Sequence, residues 1–165
     1  MSIVESLATW VQPWNDFYSH HKAVSAGITW LHLCALTVGG GAAVTSDRMM
    51  LRLRGADTDE RRRRLLDFSK THGVVIAALT VSALTGLSML LSDVKTFLVS
   101  PVYWTKMGLI IVLLANGYGL VRTERALATD PSPGNRLWSR FAFGARASIT
   151  LWLSTVLAGV LLMND

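Results

Sequence analysis

Apolar residues gather along the chain into four long runs, each bounded by charged or polar residues. They occupy 24–45 (VSAGITWLHLCALTVGGGAAVT), 73–92 (GVVIAALTVSALTGLSMLLS), 104–121 (WTKMGLIIVLLANGYGLV) and 144–162 (GARASITLWLSTVLAGVLL). Each is apolar around its whole circumference, as expected of helices that face lipid or one another. At about 1.5 Å per residue each reaches roughly 27–33 Å, enough to cross the hydrocarbon core. Barrel strands would need only about 9–11 residues and would alternate in polarity. The pattern therefore predicts an all-α fold, an antiparallel four-helix transmembrane bundle (24–165) preceded by a short leader (1–23). The connections are too short for a second domain, and the Pro131-Ser132-Pro133-Gly134 stretch reads as a turn.

The leader repeats apolar residues at helical spacing, at Ile3, Leu7, Trp10, Trp14 and Phe17, with Ser2 and Glu5 placed for a capping box. It lacks a basic residue before Lys22 and is interrupted by Pro13, so it does not read as a signal peptide. The expectation is an amphipathic helix on the outer membrane surface, with Trp10 and Trp14 at the interface. Such a helix serves either as an anchor for the first span or as a docking element for a partner.

Composition supports this picture. Of 165 residues, 51% are hydrophobic and only 16% charged, against about 25% charged in soluble domains. The single cysteine, Cys34, excludes a disulfide framework. The net charge of +5 comes from a strong asymmetry. The first and third connections and their flanks hold Arg48, Arg52, Arg54, Arg61, Arg62, Arg63, Arg64 and Lys70, then Arg122, Arg125, Arg136, Arg140 and Arg146; the other side holds Lys22, Lys95 and Lys106. Basic residues stay cytoplasmic, which predicts both termini outside an inner bacterial membrane. The Arg61–Arg64 run is expected to meet anionic lipid headgroups, at about 1 kcal/mol per residue. Asp57, Asp59, Glu60 and Asp67 dilute that run, so nucleic acid is not an expected partner.

Candidate chemistry centres on His32, an ionisable residue inside the first run. Counting depth by helical rise places His32, Ser82, Thr85, Asn116, Ser154 and Thr155 roughly 10–18 Å below the outer face, a polar layer drawn from all four spans. One reading makes it interhelical hydrogen bonding, with neutral His32 bonded to Asn116 or to a hydroxyl. The other makes His32 an axial ligand of haem b or another tetrapyrrole, with Asn116, Thr85 and Thr155 around it. His72 lies roughly 20 Å away along the membrane normal, so the two histidines cannot bind one iron. Met89 would need a shift of the spans to serve as the second ligand. His72 itself reads as a cap or interfacial residue. No Asp or Glu falls within the four runs, which weighs against a proton pump or cation transporter. At the outer face His20, His21 and Asp16 form a candidate metal set. Glycines and other small residues, Gly39-Gly40-Gly41 above all, read as close-packing surfaces. Tyr103 and Trp104 read as outer interface anchors, Trp138 as an inner one.

The stretch from His32 through the glycines to Asp47-Arg48-Met49-Met50-Leu51-Arg52-Leu53-Arg54-Gly55 resembles a pattern in a family of small bacterial four-helix membrane proteins. So does the stretch Phe97-Leu98-Val99-Ser100-Pro101-Val102-Tyr103-Trp104-Thr105-Lys106-Met107, ending later at Asn116. That family is distantly similar to the copper-resistance D membrane domain. The resemblance covers about residues 28–120 and departs at Asp47-Arg48, where an extra basic residue stands. It implies a four-helix bundle and marks His32, Lys106 and Asn116 as positions of interest. A copper link would need outer ligands, which only His20 and His21 offer.

Three functions are therefore expected in turn. The first is a non-catalytic accessory subunit packing against a larger membrane complex, such as an energy-transducing or photosynthetic one. The second is a small redox protein holding a tetrapyrrole through His32. The third is copper handling at the outer face.

Overall fold

The computed structural model describes residues 3–52, 57–129 and 136–164, with the side chains of residues 50 and 58–70 outside that description. Six helices account for the described chain: α1 (Ile3–His20), α2 (Lys22–Arg52), α3 (Thr58–Ser92), α4 (Val94–Val99), α5 (Pro101–Thr129) and α6 (Leu137–Leu162). No strand occurs among the described residues. Four helices are long and apolar enough to cross a membrane: 22–49 of α2, 71–92 of α3, and all of α5 and α6. The chain is a multi-pass membrane protein built as an all-α bundle.

Each spanning helix runs past the apolar run that predicts it. The change from apolar to polar side chains marks a change of solvent, and nothing in it stops a helix. Helices stop where backbone chemistry changes. Asp93 ends one helix and begins the next, its side chain accepting from the Thr96 amide at 3.2 Å. Ser100 ends α4, and its hydroxyl accepts from the Tyr103 amide at 3.4 Å. Pro101 opens α5 at the first helical position, where a missing N–H costs nothing. The expected capping box at Ser2 and the turn at 131–134 lie outside the described residues.

The helices pair as two hairpins, α2 with α3 and α5 with α6, joined mainly by α2 against α6; α3 and α5 touch lightly. Close approach depends on specific glycines. A Cβ at Gly39 would stand 2.9 Å from the Ala78 Cβ, and one at Gly40 3.2 Å from the Trp152 ring. Gly144 faces Leu120 in the same way, at 2.9 Å. Gly41, Gly117 and Gly119 have open space instead.

A small core of Leu127, Trp138, Phe141 and Ala145 closes the α5–α6 hairpin at the end away from α1. Trp138 is only 3% exposed, which corrects its reading as an interface anchor: α5 covers it. Elsewhere many large apolar side chains point outward, among them Leu33, Ile76, Leu84, Ile111, Leu153 and Val160. That inversion is stable only in lipid or against another membrane protein.

The leader helix α1 is continuous through Pro13. Proline removes one backbone donor there, but contacts on α3 hold the residues that follow it. The Trp14 indole donates to the Ser88 carbonyl at 2.9 Å, and the Asn15 amide donates to the Ser92 carbonyl. Val11 is buried in the same contact. A cavity of about 280 Å³ lies beside it, between α1 and the α3–α4 junction.

Candidate functional site

Two polar clusters interrupt the bundle, one in the half nearer α1 and one at the opposite, arginine-rich end.

The first is built around His32 of α2. Its Nδ1 lies 2.9 Å from Thr85 Oγ1 and 3.5 Å from Ser82 Oγ, both on α3. Thr85 donates its only hydroxyl proton to the Val81 carbonyl at 2.7 Å. Its oxygen must then accept, so His32 Nδ1 carries the hydrogen and donates it. Nε2 is left with a lone pair, and among the described residues none bonds it. Gly86 makes room for the ring: a Cβ there would lie 3.3 Å from His32 Cε1. Lys106 of α5 lies over Gly159 of α6, its Nζ 3.4 Å from where a Cβ would stand, and its charge is felt at His32. This half of the bundle thus holds an oriented imidazole and one lysine ammonium.

The other members of the expected layer are engaged elsewhere. The Asn116 amide donates to the Gly144 carbonyl at 3.0 Å, binding α5 to α6. Thr155, 3% exposed, donates back to the Leu151 carbonyl at 2.8 Å. His32 therefore bonds a hydroxyl of its own hairpin partner, and Asn116 serves the other hairpin.

The second cluster was not legible as a site. Asp47 of α2 and Glu124 of α5 are each 8% exposed, and Ser148 of α6 is 5% exposed. His72 of α3 places Nε2 3.2 Å from Glu124 Oε2. The Ser148 hydroxyl faces the Asp47 carboxylate, and the Asp47 charge acts on Glu124. All four spanning helices contribute. The expectation that the spans hold no acidic residue is corrected here: α2 and α5 continue helically beyond positions 45 and 121 and carry both acids into the interior. The reading of His72 as a cap is corrected for the same reason. Helical register was the available signal, since Asp47 lies two turns beyond Gly40 and Glu124 one turn beyond Leu120, on packed faces.

In the leader, His20 Nδ1 bonds the Asp16 backbone carbonyl at 2.7 Å, and His21 Nδ1 bonds that of Phe17 at 2.9 Å. The His21 ring stacks on Phe17 at 4.3 Å. Both histidines are thus tied to backbone carbonyls of α1. Among the described residues no three His, Cys, Asp or Glu groups converge as a metal centre. The side chains of Arg61, Arg62, Arg63 and Arg64, the expected lipid contacts, lie outside the described residues.

These features define an integral membrane protein with polar clusters buried at two levels of a helical bundle. Comparison with protein-family models, with curated proteins and with solved structures finds no match to this chain.

Proposed function

We propose that the protein is a non-catalytic accessory subunit of a larger membrane complex in a bacterial inner membrane, with the α1 end outside and anionic lipid on the arginine-rich side. One observation carries this reading. The apolar stripe of α1 is only partly covered by the bundle. Trp14, near its centre, and the adjoining Val11 are held on α3. Ile3, Leu7, Trp10 and Phe17 of the same stripe stay exposed, by 81%, 41%, 79% and 43%. A helix pinned by polar bonds to the bundle, with a spare apolar stripe rich in aromatics, suits a fixed protein partner. The partner is a different membrane protein that covers this stripe.

The test is the mass of the particle extracted from native membranes with its lipid. The account expects a complex containing other chains, from which a variant with Leu7→Ser and Trp10→Ser is lost while its own helical content is kept. A lone 18.0 kDa chain, or a particle made only of copies of it, would contradict the proposal.

A second reading is favoured by a separate observation. His32 has Nδ1–H held by an acceptor and Nε2 free, which is how proteins orient a histidine for metal. His32 would hold the iron or magnesium of a tetrapyrrole, and Gly86 would leave the ring room. Thr85 would fix the imidazole plane. The group, when bound, would supply electron transfer or light absorption. Visible absorbance that disappears in His32→Ala supports this reading, and a featureless spectrum of the protein from its native membrane refutes it.

A further inference from the structure

At the arginine-rich end, Asp47, His72, Glu124 and Ser148 meet from four different helices. Asp47 is more than nine-tenths buried, and its Oδ2 is fully enclosed without a hydrogen-bond partner. A buried acceptor left without a donor is expensive, and more so when it carries charge. Glu124 is equally buried and feels the Asp47 charge. Two carboxylates buried at one level of the bundle do not both ionise cheaply, because each loses its hydration and each repels the other.

The surroundings narrow the ligand. The Ser148 hydroxyl on α6 can donate to one Asp47 oxygen only. On α5, Arg125 is exposed and acts on Glu124 rather than on Asp47. On α3, the His72 imidazole meets Glu124 at 3.2 Å. The acidic and imidazole groups do not converge tightly enough to hold a metal ion. What remains missing is a small donor at Asp47 Oδ2, and a proton is the smallest. His72 also gives the route. Its side chain is 34% exposed while that of Glu124 is 10% exposed, so the imidazole is the member of the pair that reaches the protein surface.

We propose that Asp47, Glu124 and His72 form a proton-binding site at the arginine-rich end of the bundle, where one of the two buried carboxyl groups holds a proton that exchanges with water through the imidazole. In the exchange, a proton leaves the carboxyl pair for His72 Nε2, and the imidazole passes a proton to water. The pair gains one negative charge and the solvent one proton. The site is independent of the docking stripe on α1 and of His32.

The experiment is infrared spectroscopy of the intact protein in lipid vesicles. The account expects a protonated-carboxyl carbonyl band at about pH 7, where ordinary carboxyls are ionised. The band should shift in heavy water and vanish in both Asp47→Asn and Glu124→Gln. His72→Gln should keep the band but slow its response to a pH jump. Labelling the aspartates of the unchanged chain with heavy carbon gives the same reading without any substitution, should either variant fail to fold. The proposal is overturned if no such band exists or if it survives both substitutions. It is also overturned if the band responds to exchanging sodium for choline at fixed pH, because the site would then bind sodium.

Discussion

Three consecutive glycines in α2 should respond to the same substitution in different ways. Gly39→Ala puts a methyl 2.9 Å from the Ala78 Cβ, where carbon atoms prefer about 3.5–4.0 Å. Neither methyl can rotate away, so the two backbones must separate by roughly 0.6–1 Å along the α2–α3 contact. Overpacking of this kind costs about 1–3 kcal/mol. Gly40→Ala meets the Trp152 ring at 3.2 Å; the ring can tilt slightly, and the cost should fall below that at Gly39. Gly41→Ala meets nothing within 4 Å, and alanine is the better helix former by about 0.5–1 kcal/mol. The neighbours at 39 and 41 should therefore differ by about 1.5–4 kcal/mol, more than tenfold in the folding equilibrium. Equilibrium unfolding in mixed detergent–lipid bicelles, read by far-ultraviolet circular dichroism, measures the difference. If Gly41→Ala destabilises as much as Gly39→Ala, the α2–α3 contact is not where the structure puts it.

Other substitutions probe single contacts. Gly144→Ala meets the Leu120 side chain at 2.9 Å, with Asn116 Oδ1 in ordinary contact at 3.5 Å; the Leu120 side chain can change rotamer, so the unfolding midpoint should move less than for Gly39→Ala. Thr85→Val removes the acceptor for His32 Nδ1 and Asn116→Ala removes the bond to Gly144; each should cost about 0.6 kcal/mol, and up to about 1.7, in the same unfolding assay. Thr85→Ser should keep the stability that Thr85→Val loses. Trp14→Phe deletes the bond to the Ser88 carbonyl; amide hydrogen exchange across 3–20 should then accelerate while α5 and α6 remain protected.

Much of this architecture is written locally in the chain. The four spans follow from uninterrupted apolar runs, because crossing a bilayer needs length and hydropathy and no knowledge of neighbours. The leader helix follows from its apolar spacing, although Pro13 argues for an interruption that contacts on α3 override. The site is less legible. His32 stands out as an ionisable residue within an apolar run, but its partner depends on which helices adjoin. The α2–α3 pairing selects Thr85, while the α5–α6 pairing draws Asn116 to Gly144. Asp47 and Glu124 lie just beyond their runs and so resemble residues of a wet connection. Their burial arises only when four helices cross at that level, which no single segment encodes. Trp138 shows the same ambiguity, since an indole suits both a membrane interface and a packed core.

The central claim is that a protein partner covers the outward stripe of α1. A photoreactive amino acid in place of Trp10 tests it directly in native membranes, with the same probe in place of Ile111, 64% exposed on α5, as the lipid-facing reference. The account predicts a discrete adduct with one other membrane protein from position 10 and only lipid adducts from position 111. Lipid adducts alone from both positions would show that α1 is an anchor resting on the bilayer, and the subunit reading would fall.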